Sequence, residues 1–415
     1  MFPDWPDSAA DLIPLPPCEG PKLKPFDFQG PQKIDFLEYL GEGRHSFVFK
    51  VQILGRIYAL KLFRFDHAFE WARLNDDFDQ DNHAAMSAVY NYADPFSCEC
   101  RSFGRLQEAG HEELAVDCFG YLLLDEEHER IMRDKFKDDP YIFLEFDGNT
   151  DGPGCYKVRS RYPGKSGKLR PIRGIVKEFG TPAETMQNKD LRRILRNITQ
   201  LHQLGIIGID MADRQLISGR ICDFSTAITI PHFITNPELN PYLTAAAKSA
   251  MEYETFLYSI NDYWLFDDMV DLWNEEHEDQ KTPLSVFAFP GGNLNRNRYN
   301  LRSTPSRDGI YSFVNPMKCN WRAFSATTES GVNAPSNMTK RGPRQRQRQR
   351  LEAGGQKLKS GRVNSKRRAV RLDAKPRRWY LNCSQQVAAV LKIDTWFTNT
   401  LAWEFKSGVM FPHHR

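Results

Sequence analysis

The order of apolar and polar residues predicts strands in the first part of the chain and a helix behind them. Residues 40–62 predict strands on either side of a flexible, glycine-containing loop, and Lys61 lies near the end of this stretch. A short apolar run at 174–179, bounded by glycine, predicts a further buried strand. Residues 190–204 predict an amphipathic helix, because apolar residues recur there at helical spacing: Leu191, Ile194, Leu195, Ile198 and Leu201.

Two further helices are indicated around acidic residues. Near Glu99, the residues Phe96, Phe103 and Leu106 fall at roughly helical spacing and would seat a helix on the sheet. Glu99 is then either a surface residue of this helix or the partner of a basic side chain. Asp262 fits the start of another helix, where its carboxylate would cap backbone amides.

Composition divides the chain into parts of different character, since proline, charge and apolar residues are unevenly distributed. The second of two insertions is rich in charge, Gly and Pro and predicts a loop. The predicted parts are a proline-rich extended arm (1–30), a sheet-rich part (31–179) with insertions near 64–95 and 125–170, a helical part (180–335), a disordered basic tract (336–376) and a C-terminal segment packing on the core (377–415).

The formal net charge of +3 conceals a strong asymmetry. Residues 340–378 contain sixteen Lys and Arg against two acidic residues, a local balance of +14. Because the tract has no apolar periodicity, it is predicted to be disordered. It is typical of a nuclear-import signal, or of a segment that contacts DNA non-specifically through its phosphates. A solvated linker and a binding site for an acidic protein are the alternatives.

Composition also argues against several classes of protein. The 415 residues are 40% hydrophobic and 12% aromatic, which is enough for a sizeable core. No run of about eighteen apolar residues predicts a membrane span, and the N-terminus lacks the features of a signal peptide. The eight cysteines are scattered, so neither a zinc site nor a disulfide framework is predicted. Reduced thiols are typical of an intracellular protein.

The glycine loop and the lysine that follows it resemble the start of a protein kinase. In kinases, glycines let the backbone close over the phosphates of ATP, and a lysine on the third strand pairs with them. The resemblance assigns these roles to Gly41, Gly43 and Lys61, with Ser46 in place of a third glycine. Taken alone, the two glycines are equally typical of a plain hairpin.

A later cluster resembles the kinase catalytic loop and its metal-binding turn. The resemblance makes Asp210 the acceptor of the substrate hydroxyl proton, and it makes Gln215 and Asp223 ligands of magnesium. Gln215 departs from the kinase pattern, because asparagine is expected there and glutamine is one methylene longer. Three more positions also depart from it: Gly208, Ile209 and Ser225.

The same resemblance gives roles to three residues outside these clusters. Glu99 would hold Lys61 in place, and Glu178 would lie at the hinge that meets adenine with its backbone groups. Asp262 would cap the backbone of the catalytic loop. ATP and magnesium are the cofactors that this resemblance implies.

Several segments together are similar to a family of fungal kinetochore proteins, the FTA2 subunits assigned to the Sim4 complex. The similarity runs over most of the chain, from about residue 15 to about residue 412. Membership implies an α+β, two-lobed protein-kinase-like fold with a small antiparallel-sheet upper lobe and a helical lower lobe. It also implies a location in the nucleus, at the kinetochore or centromere. The similar segments are 36–43, 58–63, 96–101, 174–179, 223–227, 379–380 and 411–412.

Two functions follow from this resemblance. In the first, which the departures in the glycine loop and at Gln215 favour, the chain is a pseudokinase that acts as a scaffold for kinetochore or other nuclear proteins. In the second, it is an atypical ATP- and magnesium-dependent protein kinase. Lys61 would then place ATP, Asp223 would hold magnesium, and Asp210 would orient the hydroxyl of a protein substrate.

Overall fold

The computed structural model describes residues 15–65, 82–147, 161, 163, 167–182, 185–279, 282–288, 314–324, 369 and 372, and the backbone of residues 381–382, 402–406 and 409–413. The predictions for residues 1–14, for the acidic run at 75–81 and for nearly all of the basic tract lie outside these residues. The described part is a mixed α+β fold built on a five-stranded antiparallel sheet, which confirms the predicted fold class at that level.

The five strands lie in the spatial order β1-β2-β3-β5-β4, and both predicted strand regions are confirmed. Lys61 lies opposite Ile175 in the register of β3 and β5, and Ala59 lies opposite Lys177. Because residues two apart on a strand share a face, Lys61 and Lys177 are on the same face of the sheet. The strands are β1 (Asp35–Gly43), β2 (Ser46–Ile53), β3 (Arg56–Phe63), β4 (Cys118–Leu124) and β5 (Ile172–Glu178).

The helix predicted around Glu99 is confirmed as α2 (Pro95–Ala109), which follows α1 (His83–Ala93). Asp94 begins α2 by accepting a hydrogen bond from the Ser97 N–H at 3.1 Å, and it pairs with Arg173 of β5 at 2.9 Å. The helix ends at Gly110, whose φ of +73° is a conformation that favours glycine. An ion pair and a helix cap at Asp94 therefore fix α2 against the sheet.

The second insertion contains a helix, so the prediction of a loop at 125–170 is wrong for its first part. Asp125 caps α3 (Glu126–Phe136) through the His128 N–H at 2.8 Å. Acidic residues lie in its first turn and basic residues in its last turn, which favours the helix dipole. Met132 and Phe136 pack on the sheet face opposite α2, so the charge-rich sequence is one side of an amphipathic helix.

The predicted amphipathic helix at 190–204 is confirmed as α4 (Asn188–Gln203), whose apolar residues pack against α2 and the long helix α5 (Ala245–Glu276). Asp262 lies in the interior of α5, so its prediction as a helix start is wrong. Between α4 and α5 the chain forms short antiparallel pairs. These are β6 (Ile206–Ile207) with β9 (Ile228–Thr229) and β7 (Leu216–Ile217) with β8 (Arg220–Ile221).

The described part of the proline-rich arm runs along the edge of the sheet. The Phe26 N–H donates to the Tyr121 carbonyl at 2.7 Å, and the Tyr121 N–H donates to Lys24 at 3.1 Å. Gly104 of α2 lies so close to this arm that an added Cβ would come within 2.7 Å of the Lys22 backbone. The described part of the arm is therefore packed on both β4 and α2.

The C-terminal segment contains three short strands in the order β10-β12-β11. They are β10 (Leu381–Asn382), β11 (Ala402–Lys406) and β12 (Val409–His413), all antiparallel. Packing of this segment on the core stays a prediction. Among the helices of the described residues, none has the length and apolar character needed to cross a membrane.

Candidate functional site

A cleft of about 730 Å³ opens between the glycine turn, the ends of β3 and β5, and the loops that connect α4 to β9. Its volume is within the range of small-molecule and cofactor sites. All but one of the predicted site residues line it, although they come from distant parts of the sequence. The exception is Glu99, which lies behind the wall of the cleft. The predicted residues that line it are Gly41, Gly43, Lys61, Glu178, Asp210, Gln215 and Asp223.

Lys61 joins two of the predicted acidic residues. Its Nζ donates to Glu99 Oε2 at 2.7 Å and to Asp223 Oδ1 at 2.6 Å. The lysine side chain is 3% exposed and the glutamate is fully buried. Glu99 is therefore not a surface residue of its helix. Buried charges remain ionised only when they are paired, so each of these groups depends on the others.

A second lysine completes the network, and the sequence analysis missed its role. Lys177 Nζ donates to Glu99 Oε1 at 2.7 Å and to the Cys222 carbonyl at 2.7 Å. Glu99 thus has one ammonium group on each carboxylate oxygen. The available signal was a basic residue inside a buried strand, since such a residue needs a counter-ion.

The network shifts the protonation equilibria of its members. Burial alone would lower the pKa of Lys61, but the carboxylates of Asp223 and Glu99 outweigh burial and raise that pKa above its usual value. For Asp223, burial acts to raise the pKa, and the charges of Lys61 and Lys177 overcome it and hold the pKa well below its usual range. Both Lys61 and Asp223 are therefore charged at neutral pH.

Asp210 and Gln215 contact each other at the floor of the cleft. Gln215 Nε2 donates to Asp210 Oδ2 at 3.2 Å, and Gln215 Oε1 is buried without a partner. The opposite orientation of the Gln215 amide would place its oxygen against Asp210 Oδ2, so the orientation in which Nε2 donates is the stable one. Asp210 has a φ of +48°, an uncommon conformation for a residue with a side chain and one that occurs at functional sites.

Asp262 holds the loop that leads to Asp210, as the kinase resemblance implied. Its carboxylate accepts hydrogen bonds from the Gly208 N–H at 2.9 Å and from the Ile209 N–H at 2.7 Å. His202 Nε2 contacts the same carboxylate at 2.8 Å. Asp262 is fully buried, so the loop is fixed from below by an acid on α5. The prediction that Asp262 caps this backbone is confirmed.

The glycine turn leaves open space above the cleft. Gly41 has a φ of +137°, which favours glycine. A Cβ added to Gly41 or Gly43 would meet no atom within 4 Å. Both glycines belong to the hairpin of β1 and β2 and also line the cleft. The interpretation as a plain hairpin and the interpretation as part of a ligand site are therefore compatible.

Glu178 lines the cleft, and its carboxylate and its backbone N–H make contacts within the protein. Its carboxylate pairs with Arg220, and its backbone N–H donates to the Asp117 carbonyl at 2.8 Å. The neighbouring residues Phe179 and Gly180 also line the cleft.

The two predicted metal ligands, Asp223 and Gln215, each make hydrogen bonds within the protein. Asp223 Oδ1 already accepts from Lys61 and, at 2.8 Å, from the Ser225 N–H. Gln215 presents its amide hydrogens to Asp210. Within the described ranges there is no group of three or more His, Cys, Asp or Glu side chains that could hold a metal.

Comparison with known proteins identifies the family. The sequence matches none of the curated proteins. The profile of the family described as kinetochore Sim4 complex subunit FTA2 matches residues 12–228, which is more than half of the chain. The matched region contains the sheet, α2 and every residue of the predicted site. The chain therefore belongs to the FTA2 family of kinetochore Sim4 complex subunits.

Proposed function

We propose that the chain is a kinetochore subunit with a protein-kinase-like fold, and that it acts as a pseudokinase scaffold without transferring phosphate. The observation that supports this most strongly is the convergence of Lys61, Glu99 and Asp223, with both Lys61 contacts shorter than 3 Å. Glu99 and Asp223 lie 38 and 162 positions from Lys61 in the chain. A kinase-like arrangement accounts for all three.

The order and position of the other parts support the same fold. The glycine turn lies at one wall of the cleft, and Asp210 lies at its floor. Asp262 supports the loop before Asp210 from a buried position. In a kinase these parts cover the phosphates, accept the hydroxyl proton and fix the catalytic loop. The combination is more specific than any one of these motifs.

Scaffold function is favoured because phosphoryl transfer depends on metal ions that neutralise the phosphates. Here Gln215 stands where the kinase pattern has a metal-holding asparagine, and its longer side chain donates from Nε2 to Asp210. The same hydrogen bond engages one carboxylate oxygen of Asp210, the residue that would accept the proton of a substrate hydroxyl. An atypical kinase is the alternative, since Lys61, Asp210 and Asp223 occupy the required positions in the cleft.

Family membership supports partners among kinetochore proteins and a location at the kinetochore, in the nucleus. The basic residues 340–378 would add a non-specific contact with DNA, because their excess of sixteen basic over two acidic residues would displace counter-ions from phosphates. Such binding would weaken steeply with salt. Salt-independent DNA binding by the full chain, or none at all, would contradict this contact.

The function can be tested by separating association from catalysis. Purified full-length protein is incubated with its kinetochore complex and radiolabelled ATP in magnesium buffer, with Asp210→Ala as the matched variant. The scaffold proposal predicts equal recovery of complex by both proteins and no phosphate incorporation that depends on Asp210. Incorporation by the wild type that is lost in Asp210→Ala would replace the scaffold with the kinase alternative. Failure of both proteins to recover kinetochore subunits would contradict the scaffold role itself.

A further inference from the structure

We infer that Lys177 makes the cleft a binding site for nucleotide phosphates that needs no divalent cation. The inference rests on the proposed kinase-like fold and specifies the ligand class of its cleft. It depends on a side chain for which the sequence motifs gave no role. Three features of the described residues carry it: the ammonium groups, the charge balance and the fate of Asp223.

The two ammonium groups are fixed at the base of the cleft. Lys61 is held by Glu99 and Asp223, and Lys177 is held by Glu99 and the Cys222 carbonyl, at distances of 2.6 to 2.7 Å. An ammonium group has three N–H donors. Among the described residues, these two contacts leave each lysine with one N–H donor, and both residues line the cleft. Pre-positioned cationic donors are the usual means of binding phosphate oxygens.

Lys177 also changes the charge balance of the cleft. Lys61, Glu99 and Asp223 alone would leave one uncompensated negative charge, which a divalent cation would offset when phosphates bind. The addition of Lys177 makes the group of two ammonium and two carboxylate groups neutral. Because the protein itself supplies this positive charge, a metal ion is not needed to supply it.

The position of Asp223 works against metal binding in a second way. A cation that binds Asp223 Oδ1 must displace Lys61 from it. The displaced Lys61 would keep Glu99 as its partner. The other carboxylate oxygen of Glu99 is already bound to Lys177. A cation at the other oxygen of the carboxylate, Asp223 Oδ2, would lie close to the ammonium group of Lys61, and the two like charges would repel each other.

The experiment measures ADP binding by isothermal titration calorimetry in excess EDTA and in excess magnesium chloride. For the wild type, the two dissociation constants should agree within about threefold. Lys177→Met should weaken ADP binding in EDTA by about tenfold or more, since it removes a charge-assisted hydrogen bond. Magnesium should restore part of that loss. Lys177→Arg should retain binding in EDTA, and Lys135→Met, on the exposed face of α3, is the matched control that should change nothing.

The outcomes separate this inference from the proposed function. ADP binding by the wild type that requires magnesium would overturn the inference and leave the kinase-like cleft in place. Absence of ADP binding in both buffers would also overturn it, while the scaffold role would still be decided by recovery of the kinetochore complex. Equal effects of Lys177→Met and Lys135→Met on ADP affinity would remove Lys177 from the site.

Discussion

Replacement of Glu99 by glutamine tests the buried ion network directly. Glu99 is fully buried and is bound by Lys61 and Lys177, each at 2.7 Å. Glu99→Gln keeps the shape of the side chain but removes its charge, and it turns an amide NH₂ group toward one of the two ammonium groups. Breaking a buried ion pair from one side typically costs about 3–5 kcal/mol, because the remaining charge stays buried without compensation. We expect a loss of unfolding free energy in this range.

The assay is equilibrium unfolding in urea at pH 7, followed by tryptophan fluorescence and circular dichroism. Glu38→Gln is the matched control, because Glu38 also pairs with a strand lysine, Lys50, at 3.4 Å but is 59% exposed. Exposed pairs contribute about 0–1 kcal/mol. If Glu99→Gln destabilises the protein no more than Glu38→Gln does, the buried network does not hold α2 against the sheet and the reasoning is refuted.

Three further predictions concern the loop support, the pH response and the arm. Asp262→Ala should lower the free energy of unfolding, measured by thermal unfolding, by about 3 kcal/mol, because it leaves the buried N–H groups of Gly208 and Ile209 without an acceptor. A change below about 1 kcal/mol, on the order of one surface contact, would contradict this. The pKa of Asp223 is lowered in the folded state, so the stabilising effect of its carboxylate should be complete above pH ~4, the pKa of the unfolded state. The effect should decline as the pH falls below that value. A stability difference between wild type and Asp223→Asn that does not shrink on acidification would be inconsistent with this. Gly104→Ala should lower the free energy of unfolding by about 1–3 kcal/mol through overpacking, since the new Cβ would meet the Lys22 backbone at 2.7 Å. It should also speed proteolysis within residues 15–26. An unchanged rate of cleavage would show that the arm does not depend on this contact.

Local sequence patterns were sufficient for the elements that pack with a regular period. The spacing of Leu191, Ile194, Ile198 and Leu201 predicted α4, and all four are buried. The kinase resemblance predicted one site from Gly41, Lys61, Glu99, Asp210 and Asp223. The structure brings Lys61 into contact with Glu99 and with Asp223. Spacing along the sequence alone does not predict the 2.6 Å contact between Asp223 and Lys61.

The features that were missed depend on contacts between distant residues. Lys177 belongs to an apolar run, so its strand was predicted, but its two partners, Glu99 and Cys222, lie on separate elements. The helix α3 was taken for a loop because its charged residues dominate the local composition, and its inward side has few apolar residues, such as Met132 and Phe136. Asp262 was placed at a helix start because the preference of aspartate for that position does not reveal a tertiary partner.

In the proposed nucleotide site, Lys61, Asp210 and Asp223 line one cleft, and Glu99 holds Lys61 from behind it. The most direct measurement is the shift in melting temperature on addition of ATP to the wild type and to Lys61→Ala, each with and without magnesium. At about 100 times the dissociation constant, a ligand stabilises the folded state by about 2.7 kcal/mol. The account predicts a clear shift for the wild type that disappears in Lys61→Ala. A shift of equal size in both proteins would place nucleotide binding elsewhere and contradict the account.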